Sequence, residues 1–331
     1  MRIFALVLPV TGIVLALGGC AGGASPAPSA GGPSGSLSAH VLLARGIEAL
    51  PSPPAAHHAN RGPGWLSTRA ASGQNLIYVA NGDEIVVFPD EKNAQPAGLI
   101  TTGVTSAYGL FVDAQLNLYV CNQRENNVEV YPAGQTSPSF TYSTGLSRPL
   151  YAVADATRLF VGNASGGGVI VEYALGNAQP AYTLQSLGTE VDGITEDGTG
   201  NLYAAYRNGS AGGIEYFAQG TGSGEDLGIS LTAPQGLVVD AKGNIYVAET
   251  QSAKRIEAFA PGQNQPFAQT GRLVTPTGLQ LDAAEKNLYD SNLRGIVEHI
   301  AYPGLKGGGR WEVTPGPDGV QGLALSPPAP L

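Results

Sequence analysis

The chain is built from repeats. Residues 74–327 contain six similar units that follow one another at intervals of 41–44 residues. The clearest marker is an aromatic residue within a short apolar run, found at Tyr78, Tyr119, Phe160, Tyr203, Tyr246 and Tyr289. A second aromatic residue follows in each unit, at Phe88, Tyr131, Tyr173, Phe217, Phe259 and Tyr302. A repeat of this length with several short strands per unit is typical of a β-propeller.

Each unit contains four strand signals, which we name a to d in chain order. In the fifth unit strand a is Gly236–Asp240, strand b is Ile245–Ala248 and strand c is Arg255–Phe259. Polar and apolar positions alternate along strand c, as expected for a half-buried strand. A Gly-x-x-x-Pro turn such as Gly262–Pro266 then leads into a weaker strand d. The sequence therefore predicts an all-β fold, a six-bladed β-propeller of four-stranded antiparallel blades.

The two ends of the repeat region predict how the ring closes. The first unit begins directly at strand b, Leu76–Ala80, while the last unit is followed by an additional strand-a sequence, Gly322–Ser326. We expect this C-terminal strand to join the N-terminal blade, which closes the ring and removes an exposed sheet edge. The propeller is then predicted over residues 64–327, with residues 328–331 as a tail and with residues 64–68 as an additional strand of unassigned position.

An Asp residue ends strand a in five of the six units, at Asp113, Asp155, Asp197, Asp240 and Asp282. It precedes a tight turn containing Gly or Asn, where an Asp side chain can accept backbone N–H hydrogen bonds. We interpret these residues as turn-forming rather than catalytic. We interpret the recurring aromatic residues likewise, as packing between blades.

The N-terminal region is typical of an exported protein. Arg2 precedes an apolar stretch, Phe4–Leu17, of signal-peptide length. The stretch ends in Leu17-Gly-Gly-Cys20, which resembles the lipobox of bacterial lipoproteins. The resemblance implies a signal peptide over residues 1–19, lipidation of Cys20 and anchoring to the cell envelope, at the outer membrane in a Gram-negative source. An ordinary secretory signal is the alternative. Residues 20–63, rich in Gly, Ser, Pro and Ala, are predicted to be a disordered tether.

Charge and rare residues exclude several functions. The net charge is −9 with only 13% charged residues, so the chain lacks the basic surface that nucleic acids require. With Cys20 assigned to a lipid, Cys121 remains alone and is predicted to be a small buried side chain without a disulfide. His299 is the one His of the repeat region and lies within strand c, so no imidazole base is expected at the channel. We expect a monomer that contacts the membrane only through its lipid.

The channel mouth is the candidate binding site. In a propeller the residues just before strand a and just after strand b lie at the same end of the ring. The residues before strand a are Tyr108, Leu150, Asp192, Gln235, Thr277 and Gln321, and they differ from unit to unit. Variation among equivalent positions is expected both for a ligand-specific site and for an unused surface. The candidate ligand-binding residues are Tyr108, Asn122, Asp192, Gln235, Glu249 and Gln321.

The repeat motif resembles the NHL-repeat family over residues 74–327. The fifth unit matches best, with Pro234-Gln-Gly-Leu-Val-Val-Asp-Ala-Lys-Gly-Asn-Ile-Tyr-Val-Ala-Glu249. The chain is more loosely similar to the gluconolactonase (regucalcin) group and to the virginiamycin B lyases. The resemblance implies the propeller fold. It indicates little about activity, since the motif occurs in enzymes, receptors and scaffolds.

The gluconolactonase resemblance implies one metal position. Proteins of that group use the residue before strand a to bind a divalent metal, and Asp192 matches such a ligand. Gln235, Thr277 and Gln321 replace the other ligands, so a site with one anionic group would bind Ca²⁺ or Zn²⁺ weakly. No cofactor is therefore expected.

Two functions follow from these observations. The first is a non-enzymatic binding or scaffold module whose channel mouth contacts a protein, a glycan or a small molecule. The second is a metal-dependent lactonase or hydrolase in which the metal polarises an ester carbonyl. Lyase chemistry lacks the channel His that it would need.

Overall fold

The computed structural model describes residues 63–92, 94–293, 295–306, 310–312 and 320–329, the short segment 310–312 by its backbone alone. In these residues the chain forms six antiparallel sheets arranged as the blades of a propeller, with almost no helix. The predicted all-β, six-bladed architecture is confirmed. The predicted signal peptide, Cys20 and the tether up to residue 62 lie outside the described residues. Across the described ranges we find no helix long and apolar enough to span a bilayer.

Each blade is numbered by its place in the chain. Blade 1 contains β1 (Trp65–Leu66), β2 (Leu76–Ala80), β3 (Ile85–Pro89), β4 (Gly98–Ile100) and β25 (Leu323–Ser326), with the short helix α1 (Thr68–Ala71) beside it. Blade 2 contains β5 (Ala107–Val112), β6 (Leu118–Asn122), β7 (Asn127–Tyr131) and β8 (Phe140–Tyr142). Blade 3 contains β9 (Pro149–Ala154), β10 (Arg158–Asn163), β11 (Val169–Ala174) and β12 (Pro180–Gln185).

The last three blades follow the same order. Blade 4 contains β13 (Glu190–Glu196), β14 (Leu202–Asn208), β15 (Ala211–Phe217) and β16 (Glu225–Leu231), with a 3₁₀ turn at Ala218–Gly220. Blade 5 contains β17 (Pro234–Val239), β18 (Ile245–Glu249), β19 (Arg255–Phe259) and β20 (Ala268–Gln269). Blade 6 contains β21 (Pro276–Leu281), β22 (Asn287–Asn292), β23 (Ile296–Ala301) and β24 (Arg310–Glu312).

The ring closes as the sequence predicts. The C-terminal strand β25 pairs antiparallel with β2, with Leu76 opposite Ser326 and Val79 opposite Leu323. The strand thus supplies the innermost strand of blade 1, and both ends of the repeat region are held in one sheet. The additional strand β1 pairs with β4 at the outer edge of the same sheet, with Trp65 opposite Leu99. Blade 1 therefore has five strands.

The Asp residues that end strand a form the turns, as predicted. Asp113 Oδ1 accepts hydrogen bonds from the backbone N–H groups of Gln115 and Asn117 at 2.9 and 2.8 Å, and Asp113 Oδ2 accepts one from the Asn117 amide at 2.9 Å. Asp197 and Asp240 make the same bonds in blades 4 and 5. Burial alone would raise the pKa of Asp197, but these donors lower it below its ordinary value. Their carboxylates are thus occupied by their own turns.

The core lies between the blades. Tyr131, Tyr173, Phe217 and Phe259, the aromatic residues of strand c, are at most 2% exposed and pack against the neighbouring blade. A buried aromatic side chain of this size removes about 150–250 Å² from water, so these residues stabilise each interface. Their predicted structural role is confirmed. Cys121 is likewise buried and free, and burial raises the pKa of its thiol far above the ordinary range.

Blade 6 departs from the predicted pattern. Its strand c ends before Tyr302, and the residue that pairs with Leu288, in the register that Tyr131 has opposite Leu118, is Ile300. Tyr302, the second aromatic residue of this unit, therefore lies beyond strand c. It still packs between blades as predicted, since its ring contacts Tyr246 of blade 5 with centroids 5.5 Å apart and its hydroxyl donates a hydrogen bond to the turn-forming Asp240 of that blade. The aromatic residue of blade 6 is two positions later in the sequence than in the other blades, so it lies after the strand rather than in it.

Candidate functional site

In blades 2 to 6 the innermost strand contains a β-bulge. The bulge lies at the position that the sequence placed just before strand a. In blade 4, for example, Val191 pairs with Tyr206 and Gly193 with Ala205, so Asp192 is left without a partner in the ladder. A β-bulge redirects the side chain of the additional residue, and such bulges are frequent beside binding sites. The equivalent residues of the other blades are Tyr108, Leu150, Gln235 and Thr277.

These residues lie inside the ring rather than on an open rim. Tyr108 is 5% exposed, Asp192 0%, Gln235 2% and Thr277 1%. The close packing depends on glycine, because a Cβ on Gly193 would lie 2.0 Å from the Gln235 carbonyl oxygen of the next blade. The inner strands therefore approach one another at van der Waals distance. Three of the six predicted residues, Tyr108, Asp192 and Gln235, are thus brought together, but in a closed centre.

Tyr151 closes the centre of the ring. It occupies the position that is Gly109, Gly193, Gly236, Gly278 and Gly322 in the other blades. Its hydroxyl donates a 2.9 Å hydrogen bond to the backbone oxygen of Thr277, which belongs to blade 6, three blades away. Its ring also contacts Tyr108 edge-on, with centroids 5.7 Å apart. The side chain thus spans the channel and joins blade 3 to blade 6.

Asp192 is paired with an arginine from its own blade. Arg207 Nε donates to Asp192 Oδ2 at 2.6 Å, and Arg207 Nη2 also bonds Glu190. The Asp192 side chain is almost completely buried, and burial raises its pKa to about 6 although Arg207 acts in the opposite direction. The neighbouring carboxylates raise the pKa of Arg207 against the effect of burial. The group forms a buried ion triad.

This arrangement does not fit a divalent metal at Asp192. A metal ligand must offer free oxygen lone pairs, whereas both Asp192 oxygens already face the Arg207 guanidinium. A cation beside Arg207 would also meet a like charge. Among the described residues we find no cluster of three or more His, Cys, Asp or Glu side chains that could hold a metal ion.

The four remaining predicted residues lie in four different places. Gln235 is buried in the centre, and its Oε1 has no hydrogen-bond partner among the described residues. Gln321 lies partly exposed where its backbone N–H bonds Ala80. Asn122 bonds the backbone of Thr105 and Gly103, so its amide holds the connection between blades 1 and 2. Glu249 faces away from the centre, toward blade 4.

The other end of the channel is covered by the C-terminal residues. Pro328 forms an isolated bridge with Asp282 at the end of strand a in blade 6. Pro328 and Ala329 line a cavity of about 50 Å³ together with Tyr151 and Glu196. Burial and the nearby Asp155 raise the pKa of Glu196 to about 7. The described part of the predicted tail therefore contributes to the wall of the channel.

The larger cavity lies between blades 4 and 5. It is a cleft of about 620 Å³ between the outer strand β16 and the strands β19 and β20. Glu249, Arg255 and Glu257 form its charged wall, and both carboxylates are at most 5% exposed. Serine, threonine and amide side chains line the rest, at Ser230, Thr232, Ser252, Asn264, Gln265 and Gln269. We name this cavity the 4–5 cleft.

Two of these features had a signal in the sequence. Tyr151 is the single departure from glycine at its position in the six repeats, and an exception of that kind indicates a special role. The acidic residue two positions before the strand-c aromatic recurs as Glu129, Glu215 and Glu257, which marks a buried carboxylate between blades. The pairing of Arg207 with Asp192 had no such signal, since the two residues are on different strands.

Comparison with known proteins establishes the fold and nothing finer. No family model matches the chain, and no curated protein sequence matches it. The solved structures that resemble it include a chain of the nidogen–laminin complex, with a TM-score of 0.67, 18% identity, and coverage of 76% of this chain and 98% of that one. At this identity the likeness concerns the propeller architecture.

Two further structures share the architecture at greater distance. Hydrazine synthase of Kuenenia stuttgartiensis has a TM-score of 0.57 and 14% identity, over 79% of this chain and 88% of that one. A functionally unknown protein from Desulfotomaculum acetoxidans DSM 771 has a TM-score of 0.52 and 13% identity, over 73% and 79%. The fold that they share is compatible with a binding or scaffold module in general.

Proposed function

We propose that the protein is a non-catalytic binding module of the bacterial envelope, anchored by a lipid on Cys20 and connected to its propeller by residues 20–63. The Leu17–Cys20 sequence supports the anchor, and the Gly-, Ser- and Pro-rich composition supports a flexible tether. The NHL-like repeat motif agrees with this function, since the motif occurs in scaffolds and receptors. The partner is a protein, a glycan or a small molecule.

The observation that carries the non-catalytic part of this proposal is the closed centre of the ring. Tyr151 bonds the opposite blade across the channel, and Arg207 neutralises Asp192, the one carboxylate at the positions before strand a. A reacting group at this place would first have to displace both side chains. The surfaces between and around the blades remain accessible, as the 4–5 cleft illustrates.

The alternative function is a metal-dependent hydrolase, and a direct measurement can distinguish it from the binding module. The purified protein is treated with EDTA, and its thermal midpoint is measured with Ca²⁺, Mg²⁺, Mn²⁺ or Zn²⁺ added singly, beside assays with a γ-lactone and a δ-lactone. A metal that binds only the folded state at a hundredfold excess over its Kd stabilises it by about 2.7 kcal/mol. We expect no metal-specific shift and no lactone hydrolysis.

Variants assign any shift that does occur. Asp192→Asn removes the proposed ligand, and Glu125→Gln, in an exposed loop of blade 2, is the matched control. A shift that disappears in Asp192→Asn and persists in Glu125→Gln would overturn the binding-module function in favour of the hydrolase.

The anchor is tested separately on the full chain. We expect the wild-type protein to partition into the detergent phase of Triton X-114 and to gain the mass of its acyl chains, because two or more acyl chains give stable membrane attachment. Cys20→Ala should lack the mass of the acyl chains and keep an unprocessed N-terminus. Recovery of both proteins in the aqueous phase would contradict lipid anchoring.

A further inference from the structure

The buried carboxylate of the 4–5 cleft, Glu257, has a different partner from the equivalent carboxylates of two other blades. Glu257 has the same register in strand c as Glu129 of blade 2 and Glu215 of blade 4. Glu129 accepts hydrogen bonds from Asn127 and Thr141. Glu215 accepts them from Ser186 and from the backbone N–H of Leu187, which belong to the connection from blade 3. In both cases the carboxylate accepts at least two hydrogen bonds from neighbouring residues.

Glu257 differs from these two in its polar partner and not in exposure, since it is 5% exposed and Glu129 is 7% exposed. Its contact among the described residues is the guanidinium of Arg255, two residues away on the same strand. In front of the two side chains lies the cleft of about 620 Å³. This volume is within the range of about 300–1,000 Å³ that is usual for small-molecule sites. The repeat therefore places a buried carboxylate at an equivalent position in several blades, and blade 5 presents it to an open cavity.

The charges of the cleft are compensated in part before any ligand arrives. Arg255 and Glu257 form an ion pair, and Glu249 accepts a hydrogen bond from the backbone N–H of Thr232 across the interface, which leaves one net negative charge. An anionic ligand would therefore be repelled here. What remains is hydrogen-bonding capacity, which includes Arg255 Nε, a buried donor without a partner among the described residues.

The remaining wall suits a ligand that carries many hydroxyl groups. Ser230, Thr232 and Ser252 offer hydroxyls that both donate and accept, and Asn264, Gln265 and Gln269 offer amides that do the same. Phe259 also borders the cleft, but it is 2% exposed and belongs to the core. Dense donors and acceptors of both kinds match a sugar, whose hydroxyl groups both donate and accept hydrogen bonds.

We propose that the 4–5 cleft binds a neutral saccharide of about two sugar units. The inference rests on the proposed function, because it names the ligand class and the place of the binding module. It moves that place from the channel mouth to the space between two blades. Glu257 and Arg255 would hydrogen-bond sugar hydroxyls at the wall of the cleft, and Gln265 would do so at its rim.

Calorimetric titration and ligand-observed NMR test the proposal on the purified protein. The probes are three neutral disaccharides, cellobiose, maltose and di-N-acetylchitobiose, with spermidine as a cationic comparison. We expect at least one disaccharide to bind, and we expect Glu257→Gln and Gln265→Ala each to weaken it about tenfold, which corresponds to about 1.4 kcal/mol. The matched controls are Glu129→Gln, at the same register in blade 2, and Gln263→Ala, an exposed neighbour outside the cleft. Both should bind within twofold of the wild type.

Three results would overturn the inference. They are the binding of none of the disaccharides, a disaccharide affinity that all four variants leave unchanged, and spermidine binding that is lost in Glu257→Gln while no sugar binds. Gln265→Ala keeps the test decisive if Glu257→Gln fails to fold, because Gln265 is exposed. The NMR spectra also report cleavage of the disaccharide. Cleavage would contradict the non-catalytic function while leaving the saccharide site intact, so the two failures are distinguishable.

Discussion

Asp290 occupies a place in blade 6 that is apolar in every other blade. The equivalent residues are Val79, Val120, Val161, Ala204 and Val247. Asp290 is 0% exposed, and neither of its carboxyl oxygens makes a hydrogen bond of regular geometry among the described residues. Burial raises the pKa of Asp290 well above its ordinary value, and the carboxylate of Glu298, its cross-strand neighbour, raises it further, while the nearby backbone N–H of Thr277 acts in the opposite direction. We predict that Asp290→Val stabilises the protein.

The magnitude follows from the burial. An unsatisfied buried polar group costs about 1–3 kcal/mol, and an apolar side chain in its place adds roughly 1 kcal/mol of hydrophobic stabilisation. We therefore expect a gain of about 2–4 kcal/mol at pH 7, which corresponds to a rise in Tm of roughly 5–10 °C for a domain of this size. Urea unfolding monitored by circular dichroism measures the free energy directly.

The gain should depend on pH in a defined direction. Below the unfolded pKa of about 3.9 both states are protonated, so ionisation contributes nothing. As the pH rises toward the folded pKa, the wild type loses stability because its native state retains the proton, and Asp290→Val avoids this loss. The advantage of the variant should thus increase from pH 4 to pH 7. Asp290→Asn should show only the pH-dependent part of this gain in stability, because it removes the ionisable group and keeps a polar side chain.

The matched control reverses the change in another blade. Val247→Asp introduces the same carboxyl at the equivalent position of blade 5, where the side chain is 0% exposed, and should destabilise the protein by at least 2 kcal/mol or so. A variant Asp290→Val that is no more stable than the wild type at pH 7, or whose gain is the same at pH 4, would refute the reasoning.

Three further predictions concern the centre of the ring and its acid groups. Tyr151→Phe should cost about 0.5–1.5 kcal/mol through the lost hydrogen bond to Thr277, whereas Tyr151→Ala should cost about 3–5 kcal/mol because it leaves a cavity; equal costs in urea unfolding would argue against a packed side chain. Arg207→Ala should cost about 3–5 kcal/mol, since it leaves Asp192 buried and unpaired, and adding Asp192→Asn should restore part of that stability. If the double variant is no better than the single one, the ion pair is not the cause. The folded pKa values of Asp192 and Glu196 are raised to about 6 and about 7, so each group favours the folded state while it is protonated. This contribution to the free energy of unfolding is complete below pH 4 and is lost as the pH rises through these values. Stability measured from pH 5 to pH 8 should therefore fall, and Glu196→Gln should flatten the curve by about 1–3 kcal/mol; an unchanged curve would contradict the raised pKa of Glu196.

The fold was predictable because its information is local and repeated. The pattern of strand, Asp turn and strand recurs in the repeats. Six individually weak matches therefore support one firm prediction of a propeller. Closure by β25 was predictable for a similar reason, since a strand was missing at one end and present in excess at the other. Tyr302 shows the limit, because its two-residue displacement beyond strand c is not detectable in a pattern that tolerates variable turn lengths.

The site could be predicted only in part. Tyr108, Asp192 and Gln235 were expected to share one end of the channel, and they do lie together. Whether that end is open depends on Tyr151 reaching an oxygen three blades away, which no local pattern records. Asn122 and Glu249 were chosen by position after strand b. Their partners belong to connections from the preceding blade, so their orientation is decided by contacts between blades.

The amino-acid sequence by itself determined the number of blades, their strand order, their Asp turns and the closure of the ring, because each of these depends on contacts between residues that are near one another or on a pattern stated six times. The tertiary structure decided which polar groups are paired and which face a cavity. Arg207 neutralises Asp192, and Glu257 faces the 4–5 cleft while its counterpart Glu215 is hydrogen-bonded to Ser186. These outcomes depend on distances of a few ångströms between strands and blades that meet only when the ring is complete.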